Sequence, residues 1–416
     1  MISSVSFTEV SSRSACRVAS RARRADRVPA LLGLKGDANK ALDDLVAMIV
    51  GVGAVGATTA LSFAHLQVGE LRLVDRGCFK PASLITQPIT PALIGQPKAT
   101  AIARLCKDIS PRTRVLACDG PLQALALADL ARVNVLIVAG DNLTLLRDTG
   151  QRCLNLGIRM IHAAVHGESL TAQCRTFSHA TADSPCPACL FGAEEHRMMN
   201  EERVFSCEGF RHRDTHANGR SLQSTMSLRP LCAFGGEIAA LQAVKLALEL
   251  GPPVQDTLFE ICAYTWRNLI TPIRRDPGCP CAHERYTMLR APRLLRDCTL
   301  EELNRAARLS QIGVEPISLM VEGFRWIERG LCACAKSRPL NRLVRPSEST
   351  AGRCVHCRKP VHPQPFYSHD AIPLSCIERF KHRTLRSLGA KDCRGVLARH
   401  SERAVLLTNP PQKARA

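Results

Sequence analysis

The sequence predicts an α/β protein: a doubly wound, mainly parallel sheet, followed by a smaller α+β domain that contains zinc. Three observations lead there. A strand, a glycine turn, a helix and a second strand follow one another within about thirty residues of Leu45, the succession of a βαβ unit. Further apolar runs alternate with helical stretches downstream. Cysteines then recur in close pairs at metal-ligand spacing. At 416 residues the chain is long enough for two or three domains of ~150 residues. No run approaches the ~18 uninterrupted apolar residues of a membrane span.

Residues 1–22 show no hydrophobic period and are expected to form an extension without fixed structure. A short helix is predicted around Leu31 to Leu45. Leu45 to Val50 then reads as a buried strand, Gly51 to Gly56 as the turn, Ala57 to Leu66 as a helix of small and apolar residues, and Glu70 to Val74 as the next strand. Val133 to Ala139 and Met160 to Val165 continue the strands, with a helix from Leu143 to Leu156 between them. Gly192 to Met226 is polar and aperiodic and reads as a crossover loop, and Glu237 to Leu250 as an alanine-rich helix. These elements make residues 23–284 one nucleotide-binding domain. Residues 285–416 form the second, with helices at Leu300 to Ala307 and Pro316 to Gly330, a cysteine-bounded loop at 332–357, and a closing α+β segment from Leu385 to Leu407.

Charge separates the two domains. Of the formal net charge of +19, the last 132 residues carry +14, from 25 Lys+Arg and 11 Asp+Glu. Such a surface attracts phosphates, acidic proteins or anionic membranes, and charge alone does not choose among them. With aromatic residues at 4%, stacking on single-stranded nucleic acid is not expected. Twenty cysteines paired at ligand spacing, with no apolar secretory signal, indicate a reducing cytoplasm.

Gly51-Val-Gly53-Ala-Val-Gly56 follows a strand and opens a helix, so its backbone can approach a phosphate at the helix N-terminus. Asp75 ends the following strand, where a carboxylate can bond a ribose hydroxyl. NAD and ATP both fit that pair. Lys98, at the start of a helix, could reach a triphosphate, and Asp141, at the end of a buried strand, could hold Mg2+; these placements favour ATP. Taken singly, Lys98 is an ordinary solvated lysine and Asp141 an ordinary helix cap.

Cys186-Pro-Ala-Cys189 is a knuckle that presents two thiolates to one Zn2+, and Cys279-Pro-Cys281 could supply two more, with His283 as a substitute for one thiolate. Cys332-Ala-Cys334 and Cys354-Val-His-Cys357 form a second set of four. The loop between them holds too few apolar residues to fold without a metal. Cys207 stands among Arg203, Arg211, His212 and Arg213, which favour the thiolate and make it the candidate nucleophile. Cys232 lies in apolar company and is expected in the core.

In their order, Arg24-Ala-Asp-Arg27, the glycine loop, Asp75, Gln87, Gly95-Gln-Pro-Lys98, Ser110-Pro111, Asp141-Asn142 with Arg147, Cys186-Pro-Ala-Cys189, Cys207 and Pro277-Gly278-Cys279 resemble the ubiquitin-activating superfamily in its bacterial ThiF/MoeB/HesA form. The resemblance covers about three fifths of the chain and implies a Rossmann-like fold. It also implies adenylation, with ATP and Mg2+, of the C-terminal glycine of a ubiquitin-like or sulfur-carrier protein, in a homodimer or heterodimer, with a conjugating enzyme as a further partner. It assigns Arg27 to a dimer interface, Asp75, Gln87 and Lys98 to the nucleotide, Asp141 to Mg2+ and Cys207 to a thioester. The sequence departs from the family at Gly77, Ser83 and Thr86, which stand where the family has an acid, an asparagine and an arginine. A scaffold that binds nucleotide or ubiquitin-like protein without adenylation is therefore the alternative, and an NAD-dependent oxidoreductase a third reading that leaves both cysteine sets unused.

Overall fold

The computed structural model describes residues 6–11, 37–140, 142–200, 227–250, 255–308, 318–334, 337–400 and 403–410. They fall into two compact units, one built on Val5–Gln123 and Val133–His283, the other on Ala124–Arg132 and Glu284–Ala416.

The first unit is a nine-stranded sheet. Its strands are β1 (Thr8–Glu9), β2 (Val46–Val50), β3 (Glu70–Val74), β4 (Arg114–Cys118), β5 (Val135–Val138), β6 (Arg159–His166), β7 (Thr171–Phe177), β8 (Thr257–Cys262) and β9 (Arg267–Pro272), in the order β1-β4-β3-β2-β5-β6-β7-β8-β9. β4, β3, β2, β5 and β6 are parallel, and β1 and β7 to β9 extend the sheet antiparallel. The chain moves outward from β2 to β3 and β4, then returns to place β5 on the other side of β2. That reversal opens a crevice at the carboxyl ends of β2 and β5, where such sheets bind ligands. The crossovers are α1 (Ala38–Asp44), α2 (Ala54–His65), α3 (Ser83–Thr86), α4 (Lys98–Ile109) and α6 (Leu143–Leu156), with α7 (Ala193–Asn200) and α8 (Arg229–Ala247) after β7. The central strands β2 and β5 have apolar residues on both faces, as sheets covered by helices do, and α2, α4 and α8 bury their apolar faces against Ile49, Leu73 and Ile161.

Residues 6–11 correct the expectation of an unstructured extension. Thr8 and Glu9 pair with Ala117 and Leu116, and Phe7 lies over the Arg72 guanidinium at 5.6 Å. The cause is a charge network in the middle of a buried strand. Glu70 and Arg72, both buried, are bonded at 2.6 Å, and the other Glu70 oxygen accepts from Arg114 at 2.7 Å. Arg114 also meets Glu9 at 3.3 Å. A cation buried in a sheet needs cover, and Phe7 supplies a ring face.

In the second unit, β10 (Tyr286–Arg290), β11 (Ser318–Val321), β16 (Gly395–His400) and β17 (Arg403–Thr408) form a sheet in the order β10-β17-β16-β11. A second sheet has β12 (Arg325–Cys332) between β13 (Ser337–Val344) and β14 (Val361–Pro363), with β15 (Ser368–His369) also on β12. Helices α9 (Leu300–Ala307) and α10 (Leu374–Arg379) join Trp326, Leu303 and Leu385 in one core. The segment 316–330, expected to be helical, holds β11 and β12 instead. Trp326 and Ile327 are buried on a strand that turns at Gly323, whose φ of +79° only glycine adopts readily. The expected loop 332–357 contains β13, and the polar stretch after Gly192 begins with α7.

The second unit also takes a piece of chain from between β4 and β5. Helix α5 (Leu127–Leu130) has its first amides capped by Glu322, which accepts from Leu127 at 2.6 Å and Ala128 at 3.4 Å. Arg394 pairs with Asp129 at 2.7 Å. A carboxylate on a helix N-terminus offsets the dipole as well as filling its donors.

Burial alone would raise the Glu70 carboxyl, but Arg72 and Arg114 reverse this and hold it below the usual carboxylate range. Its pairing therefore stabilises the fold above that range, and the stabilisation is lost as pH falls through the depressed value. Glu70→Gln should cost roughly 2 kcal/mol at neutral pH, with the gap to the wild type in urea unfolding closing as pH falls through that depressed value.

Candidate functional site: the carboxyl edge of the sheet and its cysteine clusters

The three glycines after β2 have three different causes. Gly51 adopts φ +88°, and a Cβ there would stand 3.0 Å from the Ala139 carbonyl carbon and oxygen. A Cβ on Gly56 would be 2.0 Å from the Gly51 carbonyl oxygen. Both are required for the turn to close. Gly53 is different: nothing lies within 4 Å of a Cβ built on it, and its φ of −83° suits other residues. The space above Gly53 is thus open at the N-terminus of α2, whose amides have no side-chain cap, the arrangement that receives an anion.

Asp75 is fixed at the rim of this space. Its two oxygens accept from the Val52 and Gly77 amides, each at 2.7 Å. A carboxylate has about four acceptor positions, so two remain for ribose hydroxyls. The segment Gly95 to Lys98 folds back on residues 77–79: Phe79 donates to Gln96 at 3.0 Å, Gly95 to Phe79 at 2.9 Å and Lys98 to Gly77 at 2.9 Å. This brings the Lys98 side chain alongside Asp75, its Cε 3.8 Å from a Cβ built on Gly77, with the ammonium 5.9 Å from the Phe79 ring. Gln87, just after α3, has its Oε1 buried and without a hydrogen-bond partner among the described residues. A buried acceptor left open in this way is a position for a ligand donor.

Arg27, Asp141 and Cys207 lie outside the described residues. The residues beside position 141 mark the edge of the sheet: Ala139 abuts Gly51, and Asn142 caps α6 by accepting from Leu145 at 2.8 Å. Cys232 is buried, and burial raises its thiol, as expected of a core cysteine.

Sequence reasoning missed His162. It lies on β6 opposite Val138, and its Nδ1 faces Arg175 Nη1 at 3.1 Å. Since guanidinium only donates, that nitrogen accepts and the proton sits on Nε2. Burial first, and then Arg175, push its pKa down to about 3, so it stays neutral. The available signal was a single polar residue in the apolar run Met160 to Ala164.

The knuckle Cys186 to Cys189 is backed by α6, where a Cβ on Gly150 would be 2.3 Å from Pro187. The Cys186 sulfur lies 3.9 Å from that of Cys189 and 3.6 Å from that of Cys279, and His283 Nε2 lies 3.6 Å from Cys189. These four donors lie within 4.8 Å of one another and could hold a metal ion. A tetrahedron of ~2.3 Å metal–sulfur bonds has edges of about 3.8 Å, so the spacing suits Zn2+. His283 Nδ1 faces the Ser184 carbonyl at 3.1 Å, which makes it the donor and leaves Nε2 free for the metal. The fourth donor gathered is His283, and Cys281, expected there from its spacing, packs beside the cluster instead.

Cys332, Cys334, Cys354 and Cys357 form a second group of donors within 4.8 Å of one another. The structure joins Cys332 and Cys334 as a disulfide, a state that excludes their binding a metal and that reduction would undo. Backbone amides of Cys357 and His356 hold the Cys354 thiol down at about 7, a donor environment suited to a thiolate ligand.

A family model described as ThiF family matches residues 27–281. The chain belongs to the ThiF family. Among relatives, the molybdopterin-synthase adenylyltransferase of Salmonella typhimurium is 23% identical over 62% of this chain and 94% of its own length. The sulfur carrier protein ThiS adenylyltransferase of Escherichia coli is 25% identical over 59% of this chain and 88% of its own. The crystal structure of E. coli MccB with succinimide aligns at 15% identity and TM-score 0.46, over 59% of this chain and 68% of that one. The Salmonella and Escherichia coli relatives matched by sequence are adenylyltransferases by name, and the described residues include no helix long and apolar enough to cross a membrane.

Gly53→Val should cost only the loss of a good helix cap, a few degrees in thermal midpoint, yet weaken nucleotide binding about tenfold or more. Gly56→Ala should lower the midpoint itself. Differential scanning fluorimetry with and without ATP checks both. Prepared under reducing conditions, the chain should carry one zinc per four-donor group. Elemental analysis should show Cys186→Ser and Cys354→Ser each losing a different one, with Cys354→Ser also exposing the second unit to protease.

Proposed function

We propose that this ThiF-family chain adenylates the C-terminal carboxylate of a ubiquitin-like or sulfur-carrier protein. The observation that carries the reading is the placement of Lys98 beside Asp75 at the rim of the open space over Gly53. A dinucleotide needs the glycines and the acid, but a cation beside them suits the phosphates of ATP. The described relatives, which are adenylyltransferases of molybdopterin synthase and of ThiS, support the substrate class.

In the proposed reaction the substrate carboxylate attacks the α-phosphorus and pyrophosphate leaves, which gives an acyl adenylate. The loop amides hold the phosphates, Asp75 the ribose and Lys98 the developing charge. Mg2+ held by Asp141 would neutralise the phosphates, and Arg27 would enter from a partner subunit. A Cys207 thiolate then attacks the acyl carbonyl and expels AMP, forming a thioester. The basic second unit offers a docking surface for the acidic faces of the substrate or of a conjugating partner. A second reading, a binding scaffold without adenylation, is favoured by Thr86, an uncharged residue beside the site.

Pyrophosphate exchange into ATP, driven by peptides ending in Gly-Gly, tests the first reading. Exchange that depends on the peptide supports adenylation, whereas ATP binding without exchange supports the scaffold. With a whole partner protein, a thiol-reducible adduct should form and be absent in Cys207→Ala, which should keep full exchange; an adduct that survives the substitution moves the acceptor to another cysteine.

A further inference from the structure

We infer that Arg229, on α8, contacts the phosphates of the bound nucleotide, an inference that rests on the ATP-dependent reading above. Helix α8 runs in the same direction as α2. Its Gly235 and Gly236 have no room for a side chain, since a Cβ on Gly236 would lie 2.7 Å from the Val55 carbonyl oxygen in the first turn of α2. Near its far end, the Leu246 carbonyl accepts from Arg159, at the start of β6, at 2.8 Å. α8 therefore begins at the carboxyl edge of the parallel strands. Arg229 precedes Gly235 by six residues, which at ~1.5 Å per residue carries it beyond the first turn of α2 to the level of the glycine loop.

There its side chain is exposed. Nη1 donates to the Thr86 carbonyl oxygen at 3.4 Å, a long bond that uses one of the five N–H groups of a guanidinium. No carboxylate pairs with it among the described residues. The next residue along is Gln87, whose buried Oε1 also has no partner there. Two groups with unused hydrogen-bonding capacity thus meet at one end of α3, an acceptor for the nucleoside and a cationic fork for phosphate. Lys98 stands at the same edge of the sheet, after β3, where its amide donates to the Gly77 carbonyl at 2.9 Å. Charge that builds on the leaving pyrophosphate needs more than one cation in a site sheltered from water, and Thr86 provides none. The arginine from α8 fills that need without a residue of α3.

Because Arg229 is exposed and its bond to Thr86 is long, its substitution should leave the fold intact. The test compares Arg229→Gln and Arg229→Lys with wild type in three measurements: thermal midpoint, affinity for ATP and for AMP, and pyrophosphate exchange. Arg229→Gln should keep the midpoint and the AMP affinity, lose about tenfold or more in ATP affinity or exchange, and Arg229→Lys should recover part of it. Equal losses for ATP and AMP, or no loss for either, would overturn the inference. If wild type binds ATP but exchanges no pyrophosphate, adenylation fails as a reading while the ratio of ATP to AMP affinity still decides the role of Arg229. If wild type binds no ATP, both fall.

Discussion

The nine-stranded unit depends on two backbone contacts: the strand-to-helix turn after β2 closes against itself and against the end of β5. Gly51 packs on Ala139, and Gly56 packs on Gly51, at distances that admit no Cβ. This packing sets α2 on the sheet, leaves the amides of its first turn uncapped and puts the space over Gly53 at the strand-order reversal. Asp75 completes the turn by accepting from Val52, so the same carboxylate that shapes the loop stands where a ribose would bind. Structure and site are here the same set of contacts, and a change at either outer glycine would disturb both.

The cysteine groups solve a different problem. Neither the knuckle behind α6 nor the hairpin around Cys354 has enough apolar contacts of its own; their clusters contain few buried residues besides the cysteines. A metal bound there would link distant stretches of chain, since the Cys186 and Cys279 sulfurs meet at 3.6 Å, and would turn ligand binding into folding free energy. The knuckle lies in the nine-stranded unit, whereas the second group belongs to the basic unit and lies outside the matched residues 27–281.

The sheet was legible because its strands are long apolar runs separated by helical periods, and because Gly51, Gly53 and Gly56 occur in the one context that gives them meaning. The grouping of Cys186, Cys189 and Cys279 was legible by spacing, and the structure gathers His283, foreseen as a substitute, in place of Cys281. What escaped has a common physical cause: it is decided by partners distant in sequence. β1 is two residues that become a strand only because β4 offers an edge and Arg72 needs Phe7. The α5 segment reads as a connection in the first domain, yet Glu322 and Arg394, almost 200 residues away or more, hold it in the second unit. β11 and β12 present apolar residues that suit a helix equally well until pairing with β16 and β13 decides the period. His162 and Arg229 are single polar residues whose meaning lies wholly in their neighbours.

The most direct test of the central claim, that the glycine turn, Asp75 and Lys98 form one triphosphate site, is calorimetric titration of wild type and Asp75→Asn with ATP and with NAD in the presence of Mg2+. The account predicts one ATP site per chain, little or no affinity for NAD, and ATP binding about tenfold or more weaker in Asp75→Asn. NAD binding tighter than ATP, or ATP binding unchanged by the substitution, would contradict it.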